Sequence, residues 1–342
     1  MNPRPLSVVI LAAGKGTRMK STRAKVLHEV FYQPMAAHII VAAQSLNPLQ
    51  ILTVTGHQRK AVEAALAPFD CDFIEQKEQL GTGHAVLITE TSIPAAAETV
   101  LILCGDTPLI LPETLKELYD FHCRSSSDVT LLTTTLASPF GYGRILSDAR
   151  GNLQAIVEEK DASDVQRRIT EVNAGIYCVQ KSFLFEALKK IGTDNKQEEM
   201  YLTDIINIGT KEGRRVKRFN VSNPVEVLGV NSRRELAEAE RELQMRHNYV
   251  LMAAGVTMIM PETIRIQPTT TIASDTVLEP SVHICGSTTI ASDCHIEQGC
   301  VLKDCTIASG CVIGAGSHLD GITCPANNVI QPHTCKVHAC KD

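Results

Sequence analysis

The sequence predicts an α/β protein: a Rossmann-like domain with a mostly parallel sheet, followed by a short left-handed parallel β-helix of hexapeptide repeats. Two patterns support this prediction. In the first part of the chain, short β-branched apolar runs alternate with helical segments, which is typical of a parallel sheet covered by helices. From Ile264 onward, aliphatic residues recur every six positions. We therefore assign residues 1–231 to the first domain, 232–250 to a linker helix and 251–342 to the β-helix.

The composition indicates a globular protein. The chain has 342 residues, 44% of them hydrophobic and 21% charged, and this length favours two domains. No apolar run is long enough for a membrane span, and Leu6–Ala13 leads into a charged loop without a signal-peptide cleavage pattern. We therefore expect a cytoplasmic protein with no membrane partner. The net charge of -5 also predicts no nucleic-acid partner.

The twelve cysteines leave disulfides and zinc as alternatives to free thiols. No Cys-x-x-Cys pattern occurs, and free buried thiols are the default for an intracellular chain. The tail His333-x-Cys335-x-x-His338-x-Cys340 carries side chains that can bind metal, but its spacing matches no common zinc pattern. We expect the other cysteines of the repeat region to be small core and turn residues.

A loop with two glycines follows the first predicted strand, Leu6–Leu11. In Gly14-Lys15-Gly16-Thr17, the bare backbone can approach a ligand closely and point N–H groups at it. Arg18 and Lys25 add positive charge, so the loop suits the phosphates of a nucleoside triphosphate. The spacing is not that of a P-loop, and a dinucleotide fingerprint would need a third glycine in place of Met19. The alternative is a tight turn with solvated charges.

Candidate ligand-binding residues follow three of the predicted strands. Gly14, Gln76 and Asp106 each lie just after one. Because ligands of a parallel sheet bind beyond the carboxyl ends of its strands, we expect these residues to share one site. An aspartate there suits Mg²⁺, although it could also cap a turn. These first strands are Leu6–Leu11, Ile51–Thr55, Phe73–Ile74 and Val100–Cys104, with helices predicted near Pro34, His57 and Thr82.

The pattern between Val129 and Val230 is mixed. A strand at Val129–Leu136 and further strand edges near Arg144, Ile156 and Asn173 precede a helix that opens at Glu199. A polar helix, from about residue 233 to 247, then connects to the repeats.

The repeats have a period of six residues, with one five-residue step before Ile307. This period is neither helical nor that of simple strand alternation, and it is typical of a left-handed parallel β-helix with three short strands per coil. The aliphatic positions are Ile266, Ile272, Leu278, Ile284, Ile290, Ile296, Leu302, Ile307, Ile313 and Leu319.

The stretch LAAGKGTRM (Leu11–Met19), followed by Ala24-Lys25-Val26-Leu27, resembles the motif of the sugar-nucleotide pyrophosphorylase family of nucleotidyltransferases. Within it, the chain is most similar to the uridyltransferase part of the bifunctional N-acetylglucosamine-1-phosphate uridyltransferases, from about residue 6 to about 320. The resemblance implies in-line attack by N-acetylglucosamine 1-phosphate on the α-phosphorus of UTP, which yields UDP-N-acetylglucosamine and pyrophosphate. UTP and a sugar 1-phosphate are the implied small-molecule partners.

The resemblance also implies the roles of individual residues. Arg18 and Lys25 are the implied catalytic cations, and Mg²⁺ is the implied cofactor, held by Asp106 and Asn231 in the segments Gly105–Leu109 and Gly229–Asn231. The implied nucleotide-binding residues are Leu11, Ala12, Ala13, Gly14, Gly16, Thr17, Gln76, Gly81 and Thr82. The implied sugar-binding residues are Gly143, Glu158, Asn173, Tyr201 and Thr203.

Two segments near the implied sugar site depart from the family pattern. Asn173-Ala174-Gly175 replaces Asn-Thr-Gly, and Gln197-Glu198-Glu199-Met200-Tyr201 replaces Gln-Gly-Glu-Tyr-Tyr. Another sugar 1-phosphate, such as glucose 1-phosphate, therefore stays open as the substrate. A non-catalytic sugar-nucleotide sensor is the alternative from another class, although the intact charged residues favour an enzyme.

The bifunctional family continues its β-helix through an acetyltransferase site. None of those motifs is present in this sequence, so we expect no acetyltransferase activity. The β-helix is then a structural or oligomerisation element, and the resemblance implies a homotrimer assembled through it.

Overall fold

The computed structural model describes residues 4–337, and the chain divides between Leu236 and Ala237 into two compact units. The first unit contains the predicted α/β domain and the second contains the repeats. The helix that includes the predicted linker crosses this division. No helix among residues 4–337 combines the length and apolarity needed to cross a membrane.

A nine-stranded sheet forms the centre of the first unit. The strands of this unit are β1 (Leu6–Leu11), β2 (Glu29–Val30), β3 (Gln33–Pro34), β4 (Gln50–Thr55), β5 (Asp72–Glu75), β6 (Thr99–Cys104), β7 (Val129–Thr135), β8 (Arg144–Ser147), β9 (Leu153–Val157), β10 (Glu171–Gln180) and β11 (Val216–Asn220). The sheet order is β11-β7-β10-β6-β1-β4-β5, with β8 beside β10 and β9 beside β8, while β2 and β3 form a separate ribbon. Only β10 is antiparallel to its neighbours along the main path, so the predicted, mostly parallel sheet is confirmed.

Helices cover both faces of this sheet. They are α1 (Met35–Gln44), α2 (Arg59–Leu66), α3 (Thr82–Leu87), α4 (Pro112–Arg124), α5 (Lys181–Leu188) and α6 (Asp204–Lys211), and α7 (Arg233–Ala253) follows. Alternate residues of β1 point to opposite faces, as the pleat requires. Val8 and Ile10 belong to a core with α1, α2 and α4, whereas Val9 belongs to a second core with α3, α5 and α6.

One predicted helix boundary is wrong. The sequence predicts a helix opening at Glu199, but α6 begins at Asp204. The backbone of Met200 is instead bonded to the loop before α3: its N–H donates to the Leu80 carbonyl at 2.8 Å, and its carbonyl accepts the Gly83 N–H at 2.7 Å. In a helix that opens at Glu199, the Met200 carbonyl would accept the Asp204 N–H. Here it accepts the Gly83 N–H, and the Asp204 N–H donates to the Tyr201 carbonyl.

The second unit is a parallel β-helix. Its strands are β12 (Thr257–Met258), β13 (Arg265–Ile266), β14 (Thr271–Ile272), β15 (Val277–Leu278), β16 (His283–Cys285), β17 (Thr289–Ile290), β18 (His295–Ile296), β19 (Val301–Lys303), β20 (Thr306–Ile307), β21 (Val312–Ile313), β22 (His318–Asp320), β23 (Thr323–Cys324), β24 (Val329–Ile330) and β25 (Cys335–Val337). Every third strand pairs in parallel, which gives three sheets around one core. All ten predicted aliphatic positions are buried in that core, so the predicted left-handed parallel β-helix is confirmed.

The cysteines of the β-helix fill its interior. Cys294, Cys300, Cys305, Cys311 and Cys324 are buried free thiols, as expected for small core residues. Within residues 4–337, no group of three or more metal-binding side chains is assembled. His338 and Cys340 of the tail motif lie outside the described residues.

The five-residue step places a shortened turn at Asp304 over the turn at Gly286. The Asp304 carboxylate accepts the Ser287 N–H at 2.8 Å, and a Cβ on Gly286 would lie 2.1 Å from Asp304 Oδ1. Gly286 also has a φ of +68°, in the left-handed region that favours glycine.

We expect Gly286→Ala to lower the free energy of unfolding by about 2 kcal/mol. The left-handed backbone costs an alanine about 1 kcal/mol or more, and displacing Asp304 breaks its hydrogen bond to Ser287, a loss of about 1 kcal/mol. Gly299→Ala is the matched control, because Gly299 has a φ of +70° but its Cβ would meet only Gly316 Cα at 4.0 Å. Urea unfolding measures the free energy of unfolding of both variants. Equal losses of stability would contradict the role given to Asp304.

Candidate active site

A cavity of about 510 Å³ lies at the carboxyl edge of the parallel strands. The end of β1, the residue after β5 and the turn after β6 contribute to it, as the strand order requires. It brings together every sequence-predicted catalytic, nucleotide-binding and metal-binding residue. These are Leu11, Ala12, Ala13, Gly14, Gly16, Thr17, Arg18, Lys25, Gln76, Gly81, Thr82, Asp106 and Asn231.

The first glycine loop presents free donors to this cavity. Among residues 4–337, the backbone N–H groups of Gly14, Lys15, Gly16 and Thr17 have no hydrogen-bond partner. Gly16 has a φ of +62°, and a Cβ there would lie 2.5 Å from Lys25 Cβ. Only glycine therefore lets the Lys25 side chain pass this close to the loop. Four unpaired amides beside lysine and arginine side chains form a site for an anion.

Lys25 is at the centre of a charged cluster. Its ammonium donates to the Asp106 carboxylate and, at 2.6 Å, to the Asn231 Oδ1. Arg18 Nη2 donates to the same Asn231 oxygen at 2.7 Å. The Lys25 and Asp106 side chains are 12% and 25% exposed, so their attraction is screened less than that of a surface pair.

The Asn231 side chain is oriented by its own segment. Its Nδ2 donates to the Gly229 carbonyl at 3.0 Å, which turns Oδ1 toward Lys25 and Arg18. The Val230 N–H donates to the Asp106 carbonyl at 2.8 Å, and this bond joins the two predicted metal-binding segments. From sequence alone Asn231 could be a helix N-cap, but the cap is Ser232, whose Oγ accepts the Glu235 N–H at 3.2 Å.

Three of the predicted nucleotide-binding residues, Gln76, Gly81 and Thr82, lie side by side in the cavity. Gln76 is buried, and its Nε2 donates to the Gly81 carbonyl at 3.1 Å, which leaves Oε1 as an acceptor. Gly81 has a φ of +109°, and a Cβ there would lie 2.6 Å from the Met200 carbonyl. Glycine is therefore required at the point where this loop and the Met200 segment touch. The Thr82 hydroxyl accepts the Leu202 N–H at 3.0 Å.

The predicted sugar-binding residues do not line the same cavity. Glu158 and Tyr201 line a separate cleft of about 320 Å³ with Asp161, Asn195 and Asp204. The other three predicted residues, Gly143, Asn173 and Thr203, line neither space. A Cβ on Gly143 would lie 3.4 Å from Glu158 Oε1, so Gly143 and Glu158 are neighbours.

Both polar atoms of the Asn173 side chain are occupied. Nδ2 donates to the Tyr177 hydroxyl at 2.6 Å and Oδ1 accepts the Gly175 N–H at 2.9 Å. A sugar bound by Asn173 would therefore have to replace one of these partners.

Burial changes two titrating groups near the cavity. It raises the pKa of the Cys104 thiol to about 12, so this cavity-lining cysteine is neutral at pH 7 and is not a nucleophile. It also raises the pKa of Glu158, and the nearby carboxylates of Asp161 and Asp204 add to that effect. A carboxyl whose charge is disfavoured gains from a hydrogen-bond donor supplied by a ligand.

Several cavity residues were missed by sequence reasoning. Gln79 donates to the Ala13 carbonyl at 2.9 Å and so holds the first glycine loop. Gln197 and Glu199 line the cavity although they follow β10 and α5 in the chain. Gln79 lies between the predicted nucleotide-binding residues Gln76 and Gly81, which was the available signal, whereas no local pattern predicts the contact of the other two.

The donor set fits a hard divalent cation. Asp106 offers a carboxylate and Asn231 an amide oxygen, and Mg²⁺ is commonly held by one or two carboxylates together with substrate phosphates and waters. Gly229 is the neighbour of both residues: a Cβ there would lie 3.3 Å from Asn231 Nδ2 and 3.9 Å from both Asp106 carboxylate oxygens.

Comparisons with known proteins identify the family of the chain. The family model of the MobA-like NTP transferase domain matches residues 8–173. The bifunctional protein GlmU of Desulfotalea psychrophila is 50% identical over 326 residues, which are 95% of this chain and 96% of that protein. GlmU of Geotalea daltonii and of Geobacter metallireducens are 45% and 46% identical over 87% of this chain, but the chain spans only 65% and 63% of their lengths.

A solved structure shares the fold. UDP-glucose pyrophosphorylase, complexed with UDP-glucose, superposes with a TM-score of 0.57 at 20% sequence identity. The match covers 71% of this chain and 99% of that one. At this identity the likeness concerns the fold alone.

We expect Glu198→Gly to stabilise the protein by about 0.5 kcal/mol or more. Glu198 has a φ of +55°, a left-handed conformation that costs a non-glycine residue about 1 kcal/mol or more, and the flexibility of glycine in the unfolded chain offsets part of the gain. Glu198→Ala is the control, because it removes the same carboxylate and keeps the strain. Equal unfolding midpoints for the two variants would show that backbone strain is not the cause.

Proposed function

The chain belongs to the GlmU family of sugar-nucleotide uridyltransferases, and on this premise we propose that it transfers the uridylyl group of UTP to N-acetylglucosamine 1-phosphate. The products are UDP-N-acetylglucosamine and pyrophosphate. The observation that carries the proposal is the cavity in which four unpaired loop amides face the Lys25–Asp106–Asn231 cluster. That arrangement binds phosphates and also places fixed positive charge where charge develops during phosphoryl transfer.

The reaction requires no covalent nucleophile. A sugar phosphate is already ionised at pH 7, so its oxygen can attack the α-phosphorus directly, in line with the departing pyrophosphate. Among the residues that line the cavity, Cys104 is the only thiol, and its pKa of about 12 keeps it protonated. Catalysis then depends on positioning the two substrates and stabilising charge.

The phosphate-binding groups divide between two roles. The amides of Gly14–Thr17 and the Arg18 guanidinium hold the leaving pyrophosphate in this proposal, because they form the donor-rich side of the cavity. Lys25 follows the α-phosphate, and its ammonium exchanges Asp106 and Asn231 for phosphate oxygens when UTP binds. A preorganised donor of this kind contributes about 3 kcal/mol to transition-state stabilisation.

We propose Mg²⁺ as the divalent cation, with Asp106 and Asn231 as its protein ligands. When bound, it would neutralise phosphate charge and polarise the α-phosphorus. The carboxylate and amide oxygens of these two residues are hard ligands that suit it.

Base selection is assigned to Gln76 and the loop at Gly81 and Thr82. The Gln76 amide is held by the Gly81 carbonyl, so its free Oε1 can accept the N3–H of uracil. The N–H of Gly81 makes no hydrogen bond to another residue of 4–337, and it can donate to a uracil carbonyl.

The sugar is assigned to Gly143, Glu158, Asn173, Tyr201 and Thr203. Glu158, with its raised pKa, is suited to accept a hydrogen bond from a sugar hydroxyl. Glucose 1-phosphate is the alternative acceptor, because the Glu198–Met200 segment that differs from the family pattern contacts the base loop through Met200. A sensor without catalysis is disfavoured, because it would not need the Lys25–Asp106–Asn231 cluster.

Three expectations remain predictions. The β-helix is expected to assemble a homotrimer, which sedimentation equilibrium would detect. Acetyl transfer is not expected, and thiol release from acetyl-CoA in the presence of amino sugar 1-phosphates would detect it. A cytoplasmic location would be checked by cell fractionation.

We expect Asp106→Ala and Lys25→Ala each to reduce kcat for pyrophosphate release by about 100-fold or more, which corresponds to about 3 kcal/mol. Lys20→Ala is the control: Lys20 follows the same loop and is exposed, it makes no ion pair with another residue of 4–337, and it does not line the cavity. An active Asp106→Ala enzyme would refute the assigned cation ligand. A Lys20→Ala enzyme as impaired as Lys25→Ala would show that the loss comes from a general change in charge and not from the cluster.

We expect pyrophosphate release from UTP and Mg²⁺ to be selective for N-acetylglucosamine 1-phosphate over other sugar 1-phosphates. The measurement compares kcat/KM across a panel with glucose, galactose and glucosamine 1-phosphates. Selectivity for glucose 1-phosphate would keep the mechanism and change the substrate. A folded protein inactive with every sugar would support the sensor.

A further inference from the structure

The loop between β7 and β8, residues 136–143, is anchored by a buried ion pair. The Arg144 side chain is 2% exposed, and its Nη2 donates to Glu159 Oε2 at 2.6 Å. The same carboxylate oxygen accepts the Gly141 N–H at 3.0 Å, and Arg144 Nη1 donates to the Tyr142 carbonyl. The Gly141 N–H and the Tyr142 carbonyl are therefore both held by charged side chains. Hydrogen bonds to charged groups are stronger than those between neutral groups.

The Tyr142 side chain extends from this anchored loop to the Gly229–Asn231 segment. Its hydroxyl oxygen accepts the Gly229 N–H at 3.2 Å across 87 residues of sequence. The ring is half-buried, and burial raises the pKa of the phenol, with the Gly229 N–H opposing that rise. The hydroxyl therefore stays protonated at pH 7.

Gly229 in turn sets the direction of the Asn231 amide. The Gly229 carbonyl accepts Asn231 Nδ2, and the other end of that amide, Oδ1, faces Lys25 and Arg18. The Gly229 carbonyl shares a peptide plane with the Val230 N–H, which donates to the Asp106 carbonyl at 2.8 Å. The Gly229 N–H belongs to the preceding peptide plane. Because glycine places few steric limits on the two dihedrals between these planes, the carbonyl direction depends on the bonds that hold both of them. The partner of the Gly229 N–H among residues 4–337 is the Tyr142 hydroxyl.

We propose that Tyr142 is a positioning residue for uridylyl transfer: through the Gly229 peptide, its hydroxyl keeps the Asn231 oxygen directed at the cation and phosphate site. This inference rests on the proposed function in one respect, the assignment of Asn231 as a ligand of the divalent cation. It also links the loop that carries Gly143, on the proposed sugar side, to the residues that meet the nucleotide phosphates.

The test removes only the hydroxyl and measures cation binding. Mn²⁺ is titrated by EPR into wild type, Tyr142→Phe, Asn231→Ala and the double variant, each with α,β-methylene UTP, which is not turned over. We expect Tyr142→Phe to weaken Mn²⁺ binding about 5- to 10-fold and Asn231→Ala to weaken it at least as much. If Tyr142 acts through Asn231, the double variant will match Asn231→Ala within twofold.

Tyr119→Phe is the matched control. Its hydroxyl is also hydrogen-bonded to the backbone, as the donor to the Arg4 carbonyl, and this bond does not involve the Gly229–Asn231 segment. We expect this variant to lower Tm without changing Mn²⁺ affinity. In turnover assays, Tyr142→Phe should lower kcat about 10-fold at saturating Mg²⁺ and leave KM for UTP within twofold.

Four outcomes would overturn the proposal. Wild-type Mn²⁺ affinity in Tyr142→Phe would do so while leaving the proposed function intact. If the two losses of Mn²⁺ affinity multiply in the double variant, Tyr142 acts by a route other than Asn231. Loss of the fold in Tyr142→Phe would show a structural role. An Asn231→Ala protein that binds Mn²⁺ like wild type would overturn both this inference and the cation site of the proposed function.

Discussion

The ion pair between Lys25 and Asp106 is the interaction on which the candidate active site depends. The two residues are 81 positions apart, and the parallel pairing of β1 with β6, with Leu11 opposite Cys104, brings their loops together. Two glycines permit the contact: a Cβ on Gly16 would overlap Lys25, and one on Gly105 would lie 2.9 Å from the Leu11 carbonyl. A partly desolvated pair contributes little net stability. In the proposed function, its role is to present a cation to a bound phosphate.

In the proposed function, the two halves of the sheet carry different groups of binding residues. The phosphate and base residues follow the parallel strands β1, β5 and β6, whereas the proposed sugar residues lie on or near the antiparallel strands β8 to β10. Cys104 and Gly175 touch where the halves meet, since a Cβ on Gly175 would lie 2.8 Å from the Cys104 sulfur. Sequence changes on the sugar half can therefore alter the substrate while the phosphate-binding residues stay unchanged.

Local sequence patterns predicted much of this structure, because they reflect interactions between residues that are close together in the chain. The ten aliphatic positions predicted from the period of six all lie in the β-helix core. The Gly14–Arg18 loop and Asp106 were found because each follows a buried strand. The predictions that were wrong or absent involve contacts between distant segments. Met200 is bonded to Leu80 and Gly83, and α6 begins at Asp204 instead of Glu199. The bond from Gly229 to Tyr142 has no local pattern, and Asn231 was identified only by resemblance.

Exchange of labelled pyrophosphate into UTP tests most directly whether uridylyl transfer is a single displacement at one site. With Mg²⁺ and UTP alone, we expect no exchange, because direct attack by the sugar phosphate forms no uridylyl-enzyme and the one thiol that lines the cavity, Cys104, is protonated at pH 7. With UDP-N-acetylglucosamine present, labelled pyrophosphate should enter UTP by reversal of the reaction. Exchange without any sugar compound would reveal a covalent uridylyl-enzyme and contradict direct attack by the sugar phosphate.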